Sequence, residues 1–467
     1  MENKESLSYR AIFSGLMLDQ VPSYANKIFY SMGFLSMTSL CIIVLSGIVM
    51  VFFGPDWWLK TGVGVFVRSL HLWAVQAFIF FILLHLLVVF FTSGFRLPRR
   101  LTWILGSLMF FLALAEAEFG YVLRNDFSSQ WRSLQGADLY NGSGLGKFIN
   151  NLNYAQIYGI HIVVIPLLLF GLLFLHYLFV KTRGIAKPFK KDVAYRMVKA
   201  NHRVLFLRGV VLSVIIFVLA VVFPAPIIAP VTIRSIAARD PSLIAHTLVS
   251  ELNHTSDTAT YFDTIDPYRF NTKQVYIDIP YAQYITMEGV PDILSVFNRE
   301  GRQLQEQQIK QAKDYFSHSP SVNTDVVRSS NPVVSVVATL VSMARSGLYE
   351  AALTNESQSS YDPTYATRFL ADTGVLDRQA EKLGITTEQY GMLREGKGLL
   401  PPGAWWLAPL GVLDHTVLAN DDNQDRDGAL ILGCLVLLLM AVPYIPYLNR
   451  LPEKLGLDRL IWKDDKA

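Results

Sequence analysis

Six long apolar runs alternate with polar and charged stretches along this chain, at about 31–53, 70–91, 101–119, 158–180, 206–230 and 429–448. Coiled as α-helices at about 1.5 Å per residue, they have the length of a bilayer's hydrocarbon core, roughly 30 Å. The pattern predicts an all-α membrane protein with six transmembrane helices. A polar, partly amphipathic stretch containing Pro22 precedes the first run, and no small-residue cleavage site follows it. It therefore reads as a retained helix rather than a secretory signal. A further apolar run at 332–344 is too short to span, and is expected to pack as core or lie at an interface.

The polar exceptions inside the apolar runs carry the chemistry. His71 and His85 are 14 residues apart in the second run, and His161 and His176 are 15 apart in the fourth. On an α-helix each interval keeps both members within about 60° of one face and separates them by roughly 21 to 22 Å. Two such helices side by side present stacked imidazole pairs, His71 with His161 and His85 with His176. That is the geometry for two bis-histidine haems, one near each membrane surface. The competing explanation is four satisfied polar residues inside a bundle, but ionisable groups within a membrane are costly and mark function by default. Gly33 and Gly47 in the first run repeat the 14-residue interval, as do Gly106 and Gly120 in the third. Glycine within a helix costs up to about 1 kcal/mol against alanine. Room for a porphyrin at each level explains them; close helix packing is the alternative.

Composition agrees with a membrane location. Of 467 residues, 52% are hydrophobic and 17% charged, and the mean hydropathy is +0.32. Net charge is only +3, yet 231–427 carries 16 basic and 25 acidic residues, a balance of −9, which leaves +12 on the rest. Arg96, Arg99 and Arg100 follow the second run, and nine Lys or Arg lie between Lys181 and Arg208. By the positive-inside rule these loops and both termini face the cytoplasm of a prokaryotic cell, within its multi-pass plasma membrane. Segment 231–427 is then extracytoplasmic. It mixes strand-like text at Gln274–Pro280 with helical text at Val290–Phe316 and Ala371–Glu395. Its acidity is either an ordinary solvated surface or a docking face for a basic electron carrier. Cys41 and Cys434 sit within apolar runs, and no C-x-x-C-H motif occurs, so c-type haem and iron–sulfur centres belong on other chains. No nucleic-acid partner is expected.

The stretch Arg68-Ser-Leu-His71, then His85, then Thr92-Ser-Gly-Phe-Arg96, resembles the second helix of cytochrome b in quinol:cytochrome c oxidoreductases. His161-Ile-Val-Val-Ile-Pro166, His176 and Arg183-Gly-Ile185 resemble the fourth, and Asn26-Lys-Ile-Phe-Tyr30 and Phe119-Gly-Tyr121 also match. The interval of 15 is that of the b6 type. The resemblance covers about 15–185 and implies that the four histidines are axial ligands of two haems b. It implies further that Arg68 meets a haem propionate. Lys181, at an arginine position of the family, contacts a propionate or quinone, or simply anchors the helix. Membrane lipid, quinone as substrate, a Rieske-type iron–sulfur protein, cytochrome c or multihaem cytochrome subunits, and a homodimeric complex are the implied partners.

The expected division is 1–30 (amphipathic segment), 31–185 (dihaem four-helix bundle), 186–230 (basic loop and fifth helix), 231–427 (acidic insertion) and 428–467 (sixth helix and tail). The last two spans resemble the smaller partner subunit of b6-type complexes, fused and interrupted. Departures from the family bear on quinol oxidation. Its Pro-Glu-Trp-Tyr motif aligns with Gly403-Ala-Trp-Trp406, so Ala404 replaces a proton-accepting glutamate, and the third helix ends in Leu-Arg-Asn125 rather than Leu-Pro-Trp. Glu116 and Glu118, near the outer haem level, are candidate substitutes as proton acceptors; the alternative is a pair reaching water or pairing with Arg124. Ser31 stands where the b6 type tethers an extra haem through cysteine. A rival function is a non-bifurcating conduit between a periplasmic redox partner and an inner quinone site, and a third is a scaffold with structural haems.

Overall fold

The computed structural model describes residues 18–186, 195–262, 271–318, 322, 329–356, 362–386 and 403–462. Among the described residues, five single helices are long and apolar enough to cross a membrane: α1 (Met32–Lys60), α2 (Gly62–Phe91), α3 (Arg100–Val122), α5 (Tyr154–Arg183) and α6 (His202–Val222). Between α3 and α5 lies α4 (Phe127–Gly142). The outer segment contributes α7 (Ile233–Arg239), α8 (Pro241–Leu252), α9 (Ile279–Glu288), α10 (Ile293–Arg299), α11 (Arg302–His318) and α12 (Pro332–Ser346). It continues with α13 (Leu348–Glu356), α14 (Thr364–Asp372) and α15 (Val375–Leu383). The chain closes with α16 (Ala408–Asp414), α17 (Gln424–Ala441), α18 (Leu451–Leu455) and α19 (Asp458–Trp462).

The sixth expected span is α17, which at 18 residues falls short of the other five in apolar length. It still runs the depth of the bundle antiparallel to α3. Its start meets α4, with Arg426 beside Gly142, and near its end Leu439 accepts a 2.8 Å bond from Trp103 Nε1 at the opposite end of α3. Local chemistry sets the helix limits. Gly54, at φ +74°, and Pro55 kink α1 where the first apolar run stops. Thr61 caps α2, Asp126 and Ser129 form a capping box on α4, and Asn153 and Asn201 cap α5 and α6.

One end of the bundle is basic. There Arg99 donates to the carbonyls of Arg183, Gly184 and Ile185, and Arg96 pairs with Glu453. Strand β1 (Gln20–Pro22) pairs antiparallel with β2 (Met197–Lys199). Trp462 Nε1 donates to Tyr30 at 3.0 Å, so the first and last described segments meet at this same end. Lys187, Lys190 and Lys191 of the basic loop lie outside the described residues.

The outer segment is helical, which corrects the strand expected at Gln274–Pro280. Gln274–Asp278 is a π turn leading into α9. Val275, Tyr276 and Ile277 are all buried, and Tyr276 donates to the carbonyl of Tyr365. Burial at consecutive positions suits a helix enclosed on every side; strand propensity yields to tertiary packing. Of the helix expected at Ala371–Glu395, only Val375–Leu383 forms α15, which a turn at Thr373–Gly374 separates from α14 and left-handed Gly384 ends; 387–395 lies outside the described residues. At the centre sits α12, with nearly every residue from Pro332 to Ala344 buried. Phe127 and Trp131 of α4 join this core, and Trp131 Nε1 donates to the Ile385 carbonyl. The outer segment is thus keyed onto the bundle through α4.

Candidate functional site

Two cavities lie inside the bundle, one above the other. The one toward the far end measures about 490 Å³ and is lined by His71, His161, Gly47 and Gly120. The one toward the basic end measures about 750 Å³ and is lined by His85, His176, Gly33 and Gly106. Each cavity thus takes one histidine from α2 and one from α5.

Each glycine backs one imidazole. A Cβ built on Gly33 would come within 3.3 Å of His85 Cε1, on Gly47 within 3.4 Å of His71, on Gly106 within 3.5 Å of His176, and on Gly120 within 3.0 Å of His161. At Gly120 and Gly33 that is tighter than ordinary van der Waals contact, so an added side chain presses on the ring; at Gly47 and Gly106 it is ordinary contact. The spacing suggested room for a porphyrin; the structure adds that the same missing side chains seat the rings.

The unequal histidine intervals are reconciled in the backbone. Ile160–Val164 forms a π turn around His161, followed by Pro166, which lacks the N–H an α-helix needs there. A π turn accommodates one extra residue. The 15-residue interval on α5 therefore matches the 14-residue interval on α2.

Polar contacts fix the ring chemistry. His71 Nδ1 lies 3.1 Å from the Ile43 carbonyl and 3.0 Å from Ser46 Oγ. Donation to the carbonyl places the proton on Nδ1 and leaves the Nε2 lone pair for a metal. His161 Nδ1 lies 3.0 Å from Glu116 Oε1, although its N–H is not in line with that oxygen. Among the described residues no three His, Cys, Asp or Glu gather as a metal centre. Two imidazoles per cavity suit a metal whose other ligands arrive with a macrocycle.

The remaining candidates are placed as follows. Arg68 lines the far-end cavity, where it is tied to Asp126 at 3.0 Å and to the carbonyls of Ala225 and Pro226. Arg124 pairs with the same buried carboxylate at 3.1 Å. Glu118 faces Arg132 at 3.7 Å, and Arg132 stacks 4.1 Å over the Tyr121 ring. Lys181 and Arg99 line the basic-end cavity, as does Ser31, which accepts from Arg208. Ala404 is fully buried; beside it Trp405 Nε1 donates to Gln76 Oε1 at 2.7 Å, and Trp406 approaches Tyr121. The aligned Gly403–Trp406 segment thus docks on α2 and α3 near the far-end cavity. In the Pro55-Asp-Trp-Trp58 sequence that follows the kink of α1, Asp56 makes an exposed ion pair with Lys60.

Asp126 and Gln76 were missed by sequence reasoning. The Asp-x-x-Ser cap marks Asp126 as a helix start, but nothing local reveals that two arginines converge on it.

Comparison with known proteins follows the same lines. The family model described as cytochrome b (N-terminal)/b6/petB matches residues 76–235. Cytochrome b6 of Heliobacterium modesticaldum is 30% identical over 192 residues, covering 36% of this chain and 89% of the relative. Cytochrome b6 of Chlamydomonas reinhardtii is 28% identical over 207 residues, covering 40% of this chain and 96% of the relative. A solved structure titled hyperthermophilic respiratory Complex III superposes more loosely, at TM-score 0.40 and 14% identity, over 78% of this chain and 97% of that one.

Proposed function

The chain belongs to the cytochrome b/b6 family, and on that premise we propose that it is the dihaem subunit of a membrane quinol-oxidising complex. His71 and His161 would hold one haem b, and His85 and His176 the other. The observation that carries this reading is the repeated unit: each cavity joins one histidine of α2 to one of α5 and backs each ring with a glycine of α1 or α3. Haem bound at both levels would supply one-electron transfer across the membrane.

The residues around the cavities support distinct roles. Arg68 and Arg124 set two guanidinium charges against the single carboxylate of Asp126. Both arginines line the far-end cavity, where a guanidinium suits a haem propionate. Arg99 and Lys181 would do the same at the basic end or meet a quinone there. With the basic end cytoplasmic, residues 231–427 form an extracytoplasmic domain between the dihaem bundle and the final span. A Rieske-type iron–sulfur protein and a cytochrome c, as separate chains, would take electrons on the outer side, in a quinol:cytochrome c oxidoreductase with two copies of this chain. Ser31 in place of a tethering cysteine argues against a covalent third haem.

A second reading has its own support. Ala404 carries no proton acceptor, Glu116 lies against His161, and Glu118 faces Arg132. Carboxylates engaged in this way are poorly disposed to take a proton from quinol. This favours a linear conduit from a periplasmic donor, docked on the acidic segment, to a quinone near the basic end. Oxidant-induced reduction separates the two readings. Membranes are given quinol, re-oxidation at the inner site is blocked, cytochrome c oxidant is pulsed, and b-haem absorbance is followed. A transient rise in reduced haem b is expected of a bifurcating subunit. No rise, with haems still reducible by dithionite, selects the conduit.

A further inference from the structure

Of the four histidines, His161 alone is matched with a carboxylate. His71 Nδ1 faces a neutral carbonyl and a hydroxyl, and neither His85 nor His176 takes part in an ion pair among the described residues. Glu116 comes from α3 one helical turn before Gly120, the glycine that backs the His161 ring most tightly. The spacing of four places both on the face of α3 toward α5. The carboxylate lines the far-end cavity, and its second oxygen, Oε2, is buried without a hydrogen-bond partner. His161 Nδ1 is likewise buried without an in-line partner, and Glu116 Oε1 is the acceptor within its reach. The 3.0 Å separation needs only rotation of the ring to bring the N–H into line.

We propose that Glu116 is a positioning and tuning residue for the haem at the far end. It accepts the Nδ1–H of His161, makes that imidazole a stronger electron donor, and holds the outer haem at a lower midpoint potential than a neutral partner would. The inference rests on the dihaem reading and assigns Glu116 to the ligand rather than to quinol deprotonation. Its physical basis is general: a negative charge hydrogen-bonded to a ligating imidazole raises the basicity of the metal-bound nitrogen and favours the oxidised metal.

The test is redox titration of the full chain in its native membranes, with Glu116→Gln beside the unaltered protein. Glutamine keeps the shape and an acceptor oxygen but removes the charge. Two low-spin b haems in the unaltered protein are the first readout, and their absence would defeat the dihaem reading itself. With both haems present, Glu116→Gln is expected to raise the outer haem's reduced-to-oxidised ratio at fixed ambient potential about tenfold, a shift of ~59 mV for one electron. The inner haem, which has no such carboxylate, should not move. An unchanged outer haem in a variant with full haem content overturns the proposal. If the variant loses that haem, the unaltered protein still decides through an infrared difference spectrum with carboxyl-labelled glutamate, poised so that only the outer haem changes state. A carboxylate band that moves is expected, and silence there rejects the proposal.

Discussion

The membrane bundle and the outer segment solve opposite packing problems. In the outer segment, α12 is enclosed by α7, α8, α10 and α11, with Val336, Val337, Leu340 and Val341 showing no exposure. Its interior is filled. In the bundle none of Ile160–Val164 is buried, and apolar side chains such as Leu167 and Phe174 are exposed where lipid would lie. The interior there is held open as two cavities, and the residues that keep it open are the smallest ones. A filled core draws stability from close contact and loses it when atoms are removed. A hollow bundle loses its function when atoms are added. Buried charge differs in the same way: Asp126 in the bundle's far end is matched by two arginines. In the outer segment Glu251 sits against Asp372, acid beside acid.

The largest expected effect is in the bundle. Gly120→Leu should abolish the outer haem, because even a Cβ there lies 3.0 Å from the His161 ring. Haem content by pyridine haemochrome should fall by half, with the inner haem's spectrum retained. Full haem content in this variant would break the contrast between hollow and filled interiors. The mirror experiment is Leu340→Ala, which removes atoms from a fully buried site and should cost about 2–5 kcal/mol. The outer segment should melt or be proteolysed at lower temperature while the haem spectrum stays unchanged. A matching loss of haem would mean that the two regions fold as one unit.

A smaller effect concerns pH. Burial, reinforced by the neighbouring Asp372, pushes Glu251 up to about 10. The folded outer segment thus binds a proton that the unfolded chain releases near the ordinary carboxylate value. Stability contributed by that proton is complete below about pH 4.5. It declines as pH rises toward about 10, by at most ~1.4 kcal/mol per pH unit. Glu251→Gln should flatten this decline, as thermal unfolding from pH 6 to 9 would register. An identical slope in variant and parent would place the titrating group elsewhere.

Much of the bundle was readable in advance because its signals are local. Apolar length marks a span, and basic residues mark one end of the bundle. A 14-residue repeat marks a helical face whichever neighbour it meets. Gly33, Gly47, Gly106 and Gly120 were readable for the same reason. The outer segment lacks such a repeat, and Gln274–Pro280 misled because β-branched and aromatic residues suit any enclosed surface, helical or extended.

By itself, then, the sequence determined where the long apolar helices α1, α2, α3, α5 and α6 form, which histidines can share a level, and where glycine leaves space. These follow from periodicity and side-chain size along a single helix. Tertiary structure alone decided that the π turn at Ile160–Val164 equalises the two histidine intervals. It also decided that Glu116 meets His161 while Glu118 meets Arg132, and that Asp126 gathers two arginines. Those outcomes depend on which residues distant in the chain arrive beside one another. A buried charge takes whatever partner packing brings within reach, and no local pattern records that choice.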